Sequence, residues 1–326
     1  MVTAMQLNGL LTFLRIVRVL MHQIARFLHI DAKSRSAFRV AVLCLIHWKP
    51  LYYRRASEWG LTRMPHSPRI IVSLTTYPAR IGLVYQTINT LLNQSFKPDK
   101  IVLWLAKSQF PNKEADLPES LLIQKKFGLE IDWCEDLRSY KKLIPALRKY
   151  PEDIIITVDD DLFYPPDMIQ ELVDSYEKDP TCVHTQSAMK MEFDSDGNPT
   201  RYRSWRYVNE KGAKSFSFLI LGGTGTLYPP HVLDENVFDD KTYMKITPTT
   251  DDIWFWAMAA KAGHKVCVSH GGLSCANNYN TNNDCALWNL NQSDGNGNDD
   301  QLRSVISRFG LGDRIRGEVA CEGVVD

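Results

Sequence analysis

The stretch Asp153-Ile-Ile-Ile-Thr-Val-Asp-Asp-Asp-Leu162 constrains the fold of this 326-residue chain more than any other. Ile154–Val158 is an uninterrupted apolar and β-branched run, the signature of a strand buried on both faces. Three carboxylates, Asp159, Asp160 and Asp161, stand at its carboxyl end. Packed like charges repel and resist desolvation, so folding alone gives no reason to gather them there. A hard divalent cation reverses that cost, because carboxylate oxygens are its ligands. In open α/β sheets the carboxyl ends of the strands are also where ligands bind. The run therefore points to a metal site at the mouth of a sheet; an acidic turn capping the helix that starts near Pro165 is the plainer alternative.

The flanking sequence supplies the sheet. After Pro65 and Pro68, β-branched runs alternate with helical spacing. Strands are expected at 69–74, 100–105, 129–134 and 154–158, and helices at 80–94, 117–127, 140–150 and 166–178. Such alternation gives a mostly parallel sheet with right-handed crossovers. The pattern then loosens. Asp194-Ser-Asp-Gly-Asn198 reads as a turn, and an apolar run at 216–221 ends in Gly222-Gly-Thr-Gly225. Residues 249–263 read as a helix capped by Thr249 or Thr250 and stopped by Gly263. The Asn-, Asp- and Gly-rich tail from Asn277 reads as loop.

Charge divides the chain. Residues 1–69 hold eleven Lys/Arg against Asp31 and Glu58, a local charge of +9, so the remainder carries −9. An acidic main body argues against nucleic acid as a ligand. Within 7–30, Leu10, Leu14, Val17, Met21, Ile24 and Leu28 form one helical stripe, and Arg15, Arg18, His22 and Arg26 form another. No apolar run reaches the roughly twenty residues needed to span a bilayer. This suits an amphipathic helical arm lying on an anionic membrane surface. Seven cysteines without a CxxC pair read as free thiols in a reducing compartment. The amino end lacks a secretory signal pattern, so the expected location is cytoplasmic, peripheral to the inner face of the plasma membrane.

Further groups could join the acidic triplet. Asp251 and Asp252 open the helix at 249–263, where its dipole stabilises them, and they follow the glycine segment. Gly222 and Gly223 permit close backbone approach. Thr75, Thr76, Tyr77 and Arg80 follow the first strand, at an edge where a helix amino terminus can hold an anion. Lys141 and Lys142 follow the third strand and could meet a phosphate there. His270 follows the run 265–269, although a lone histidine is more often structural.

Taken in order, these segments resemble a GT-A glycosyltransferase. The likeness rests on a first strand ending in Thr75-Thr-Tyr-Pro78, a helix ending in Leu91-Leu-Asn-Gln-Ser95, a DXD-like Asp159-Asp-Asp161 and the later Asp251-Asp252. It covers roughly residues 67–275 and is greatest with bacterial enzymes of capsule or lipopolysaccharide synthesis. The resemblance implies a GT-A type nucleotide-binding βαβ sandwich. Residues 1–66 are then a membrane-associating arm, 67–275 the transferase domain and 276–326 a carboxyl-terminal extension. It implies Mn²⁺ or Mg²⁺ on Asp161 and Asp159, with His270 as a third candidate ligand. A nucleotide-sugar donor would lie against Thr75, Thr76, Tyr77, Arg80, Lys142, Asp159 and Asp160. A glycan or lipid-linked acceptor would pass over Gly222 and Gly223. Asp252 would be the base of an inverting reaction, with Asp251 orienting it or binding the acceptor. In many relatives the second strand ends in an acid that contacts the base of the nucleotide; here it reads Val102-Leu-Trp-Leu-Ala106. A sugar nucleotidyltransferase, a phosphatase or nuclease, and a catalytically silent membrane-bound sugar-binding protein are the alternatives; the absence of glycine from Thr75–Arg80 disfavours the first, and the lack of clustered further His/Asp ligands in the sequence disfavours the second.

Overall fold

The computed structural model describes residues 53–272, 277–278 and 297–316. Residues 1–52 of the expected membrane arm lie outside them. The first half of the described chain alternates as its apolar runs require: β1 (Ile70–Thr75), α1 (Tyr85–Leu92), β2 (Lys100–Ala106), α2 (Glu119–Leu122), β3 (Leu129–Cys134), α3 (Ile144–Lys149), β4 (Ile154–Thr157), the short β5 (Leu162–Phe163) and α4 (Met168–Lys178). Shorter strands follow: β6 (Val183–Thr185), β7 (Ala188–Lys190), β8 (Arg206–Tyr207), β9 (Lys214–Ser215), β10 (Phe218–Ile220) and β11 (Thr226–Tyr228). The chain continues through α5 (Asp240–Ile246), α6 (Asp251–Ala262), β12 (Val266–Val268), β13 (Asn277–Asn278) and α7 (Asn298–Phe309).

Eight strands form the central sheet in the order β3-β2-β1-β4-β11-β6-β12-β9. The pairs β3/β2, β2/β1, β1/β4 and β6/β12 are parallel; β11 runs antiparallel to both β4 and β6. The chain moves outward from β1 to β2 and β3, then returns to place β4 on the other side of β1. That reversal puts a crevice beyond the carboxyl ends of β1 and β4, where ligands bind in open α/β sheets. The architecture is a GT-A-like α/β fold with a mostly parallel sheet.

Alternation along the strands fills both faces. Ile70, Val72, Leu74, Ile101, Leu103, Leu105, Ile154 and Ile156 join one buried cluster with residues of α1 and α4. Ile71, Val102, Trp104 and Ile155 join the other with residues of α3, α6 and α7. This two-sided burial explains why the strands read as continuous apolar runs. Helix α6 is apolar on all sides, with Ile253 through Ala260 buried, as expected of a helix sunk in a core. Gly263 ends it in a left-handed conformation at φ 93°.

Several boundaries differ from the sequence expectation for physical reasons. Residues 80–84 form a turn ahead of α1, so the expected helix at 80–94 is shortened. The helix expected at 140–150 is divided into a 3-10 turn, Arg138–Lys142, and α3, because Pro145 has no N–H to donate to a preceding turn. The tail read as loop contains α7, whose Leu302 and Val305 are buried in the cluster shared with α6. Residues drawn into the arm are stitched to the sheet unit: Gly60 N donates to Phe127 O at 2.8 Å, and Thr62 N to Pro98 O at 2.9 Å. Among the described residues, no helix is long and apolar enough to cross a membrane.

Candidate active site

The acidic triplet sits at the crevice, and its three members have different surroundings. Asp160 turns inward. Arg80 Nη1 donates to Asp160 Oδ1 at 2.8 Å, the Thr76 hydroxyl donates to Asp160 Oδ2, and Thr87 Oγ1 donates to the Asp160 carbonyl at 2.9 Å. Asp160 is therefore a tie between the β1 loop, α1 and the end of β4. Asp161 lies 3.0 Å from Arg80 Nη1 through Oδ2. Burial and the adjacent Asp159 nevertheless push its pKa up to about 7. Asp159 has the most exposed side chain of the three, at 39%. Its amide donates to the Tyr164 hydroxyl at 2.8 Å, and that hydroxyl donates to Gly223 O at 2.6 Å.

Lys142 joins this triplet to the second acidic pair. The lysine ends the 3-10 turn after β3, and Ser73 Oγ of β1 fixes its backbone by donating to Lys142 O at 2.5 Å. Only 6% of its side chain is exposed. Its Nζ lies 3.0 Å from Asp159 Oδ1, 2.9 Å from Asp251 Oδ2 and 3.6 Å from Asp252 Oδ1. Burial alone would lower the Lys142 pKa, but the three carboxylates hold it well above the usual lysine range. One buried cation thus offsets part of the charge of two clusters about ninety residues apart in the chain.

The glycine segment closes the site from the other side. Gly222 N donates to Asp252 Oδ2 at 3.0 Å. A Cβ at Gly222 would stand 2.2 Å from Asp252 Oδ1, and one at Gly223 would stand 2.5 Å from Asp159 Oδ2. Glycine is needed at both positions because a carboxylate occupies the space a side chain would take. Asp252 Oδ1 has no hydrogen-bond partner among the described residues. Burial raises the Asp252 pKa to about 7 against the opposing pull of Lys142. The side chain as a whole is 31% exposed, although Oδ1 itself is buried.

The remaining sequence candidates fall into place unevenly. Tyr77 lies against Arg80, whose guanidinium carbon is 5.6 Å from the ring centroid. Thr75 Oγ1 donates to Trp104 O at 2.8 Å, a tie to β2. Lys141 pairs with Asp136 at 2.8 Å instead of standing open for a phosphate. Thr250 precedes α6, yet its hydroxyl donates to Gln301 Oε1 at 2.7 Å and does not cap the helix. His270 Nδ1 pairs with Glu171 Oε2 of α4 at 3.0 Å. Asp159, Asp161 and His270 do not assemble as a ligand set: among the described residues no three His, Cys, Asp or Glu groups are placed to hold a metal ion. Tyr164 was not read from sequence as part of this site. Its only signal there was an aromatic three residues beyond the triplet.

Residues 134–281 match the family described as Glycosyltransferase like family 2, a span that contains Lys142, the triplet, the glycine segment and Asp251-Asp252. No curated protein sequence matches the chain. Among solved structures, S. aureus TarS 1–349 is 14% identical, covering 63% of this chain and 59% of its own, with a TM-score of 0.42. The mannosyltransferase PcManGT from Pyrobaculum calidifontis, in complex with GDP-Man and Mn²⁺, is 14% identical over 73% of this chain and 65% of its own, with a TM-score of 0.40. A 4-diphosphocytidyl-2C-methyl-D-erythritol synthase is 11% identical over 68% and 98%, with a TM-score of 0.42. The chain spans about three-fifths of the length of the first two, 59% and 65%. Residues 134–281, a little under half of the chain, are thus similar to a glycosyltransferase family 2 domain and lie on the GT-A-like sheet.

Proposed function

We propose that the protein is a metal-dependent, inverting glycosyltransferase that moves a sugar from a nucleotide-diphosphate donor to a hydroxyl of a glycan or lipid-linked acceptor, in surface polysaccharide synthesis. The observation that carries this reading is Lys142, whose ammonium lies within 3.6 Å of Asp159, Asp251 and Asp252 and so gathers both acidic clusters into one site.

The donor set suits a hard cation. Asp159 and Asp161 offer two carboxylates at the sheet crevice; burial and the adjacent Asp159 push the Asp161 pKa up to about 7, and a bound cation would relieve that cost. Mg²⁺ in particular is commonly held by one or two carboxylates together with substrate phosphates. His270, engaged with Glu171, is left out of this set. When bound, such an ion neutralises the charge that develops on the departing diphosphate.

The chain's own groups supply the rest. Arg80, Thr76 and Asp160 fix the loop that presents Asp159 and Asp161. Gly222 N orients the Asp252 carboxylate. Asp252 would take the acceptor hydroxyl's proton as the oxygen attacks the anomeric carbon. A base with a pKa near the working pH is well matched to that transfer. Asp251, paired with Lys142, would keep the lysine in place between the two clusters. The basic arm would hold the enzyme on an anionic membrane face.

A thermal-shift screen of nucleotide sugars, with and without Mn²⁺, tests the reading. A ligand that binds the folded state raises the melting temperature by mass action. One nucleotide sugar should raise it with Mn²⁺ present, and Asp161→Ala should abolish the Mn²⁺-dependent part. No shift with any donor in the wild-type protein would overturn the proposal.

A further inference from the structure

The acidic loop leaves the sheet at Val158, whose N–H still reaches Ser73 O of β1 at 3.2 Å. The next backbone donor, Asp159 N–H, is met by a side chain instead of a strand. The Tyr164 hydroxyl accepts it at 2.8 Å. The same hydroxyl donates to Gly223 O at 2.6 Å, with Asp159 O a more distant acceptor at 3.5 Å. One phenol oxygen thus takes a bond from the acidic loop and gives one to the glycine turn, Gly222–Thr224. That oxygen is held from behind. Tyr164 is 1% exposed, and its ring packs in the cluster shared with α1 and α4. Its N–H donates to Thr90 Oγ1 of α1 at 3.2 Å. Gln94 Nε2 donates to Pro165 O at 2.7 Å, and Ser95 N to Pro166 O at 2.7 Å. Two prolines of fixed φ therefore follow the ring, clamped to the end of α1.

The two loops it joins already touch. A Cβ at Gly223 would stand 2.5 Å from Asp159 Oδ2, and the neighbouring Gly222 N donates to Asp252 Oδ2 at 3.0 Å. The connection from Asp159 N through the phenol oxygen, Gly223 and Gly222 to the Asp252 carboxylate is therefore continuous. Lys142 joins the same two acidic clusters by charge. Charge attraction tolerates changes of direction, whereas hydrogen bonds weaken steeply when bent. The lysine can gather the carboxylates, but the phenol fixes how far apart their loops stand.

We infer that Tyr164 is a positioning residue of the proposed reaction. Its hydroxyl sets the separation between the carboxylates that would hold the donor's cation and the carboxylate that would take the acceptor's proton. The inference rests on the transferase reading and adds to it a residue that belongs to neither acidic cluster. A phenol that served the fold alone would affect melting and leave the relation between the two loops without consequence for binding or turnover.

Tyr164→Phe in the full-length protein removes the oxygen and keeps the ring. Turnover is followed as release of nucleoside diphosphate from the nucleotide sugar that shifts the wild-type melt. It should fall by about 10²-fold, the size expected when a reacting group is misplaced by about 1 Å. The Mn²⁺ concentration that gives half of the donor-dependent thermal shift should rise roughly tenfold, a binding readout that needs no turnover. Leu172→Ala opens a cavity in the same cluster and is the control. It should lower the melting temperature and leave both quantities within about twofold of wild type. Gly222→Ala already displaces Asp252, so adding Tyr164→Phe to it should cost at most about threefold more turnover, because changes within one network do not add. Thr90→Val removes the acceptor of the Tyr164 N–H and keeps the hydroxyl. It should move both quantities in the same directions by roughly threefold, and it decides the matter if Tyr164→Phe does not fold. A Tyr164→Phe protein that melts lower but keeps wild-type turnover and Mn²⁺ dependence would overturn the inference. So would losses that multiply in full with Gly222→Ala, or an unchanged Thr90→Val where Tyr164→Phe cannot be purified. The absence of any donor shift in the wild-type protein would instead remove the transferase reading, and this inference with it.

Discussion

The two acidic clusters answer the same electrostatic problem in different ways. At the end of β4, Asp160 and Asp161 are compensated by Arg80, a cation that keeps its charge, and Asp160 is further held by the Thr76 hydroxyl. At the start of α6, Asp251 and Asp252 have the helix amino terminus, one backbone N–H from Gly222, and the single ammonium of Lys142, which they share with Asp159. The first arrangement fixes a loop. The second leaves Asp252 with an oxygen lacking any hydrogen-bond donor among the described residues; burial pushes its pKa up to about 7, as it does that of Asp161 in the first cluster. A carboxyl group needed for structure is satisfied, and one suited to proton transfer is left partly unsatisfied.

If Lys142 is the shared compensator, removing it should affect both clusters at once. Lys142→Met would leave buried carboxylates without their cation, a change that typically costs about 3–5 kcal/mol. Urea unfolding would show a loss of that size at neutral pH, smaller under mildly acidic conditions where Asp252 becomes protonated. A loss below about 1 kcal/mol at neutral pH would mean the two clusters do not depend on a common cation.

Gly222→Ala acts on one cluster alone. Its Cβ would meet Asp252 Oδ1 at 2.2 Å, so the carboxylate must turn and give up the Gly222 N–H bond. Misplacing a reacting group by about 1 Å costs on the order of 10²-fold in rate. Turnover should fall by roughly that much while the nucleotide-sugar thermal shift is kept. If the donor shift disappears together with turnover, the glycine belongs to the donor side.

The third contrast is a pH dependence that runs in opposite directions for stability and activity. The folded Asp252 has a pKa of about 7, above its value of 3.8 in an unfolded chain, so the folded state binds the proton more tightly. Its contribution to stability is complete below pH ~4 and declines as pH rises from there to about 7. A base must be deprotonated, so activity should rise through the same upper range. Thermal melts and initial rates measured across pH 5–8 should diverge in this way, and Asp252→Asn should flatten its part of the melting profile.

The sheet-edge half of the candidate site was legible because local sequence carries it. Long apolar runs at 100–105 and 154–158 could only be buried strands, and the βα alternation placed Thr75–Arg80 and Asp159–Asp161 at one sheet edge. What could not be read was set by distance in space. Nothing near Lys142 in the chain indicates that it will lie between Asp159 and Asp251. The Gly222–Asp252 contact is invisible in a common GGxG pattern. His270 was proposed from position along the chain, and its partner Glu171 comes from a different helix. Helix α7 was missed because its polar composition hides the spacing of Leu302 and Val305, which are buried against α6.

The central claim, that Asp252 is the base of a site shared by both clusters, is tested most directly by comparing turnover and donor binding in Asp252→Asn. The account predicts a loss of turnover on the order of 10²- to 10⁴-fold with the Mn²⁺-dependent nucleotide-sugar thermal shift preserved. Near-normal turnover in Asp252→Asn would contradict it.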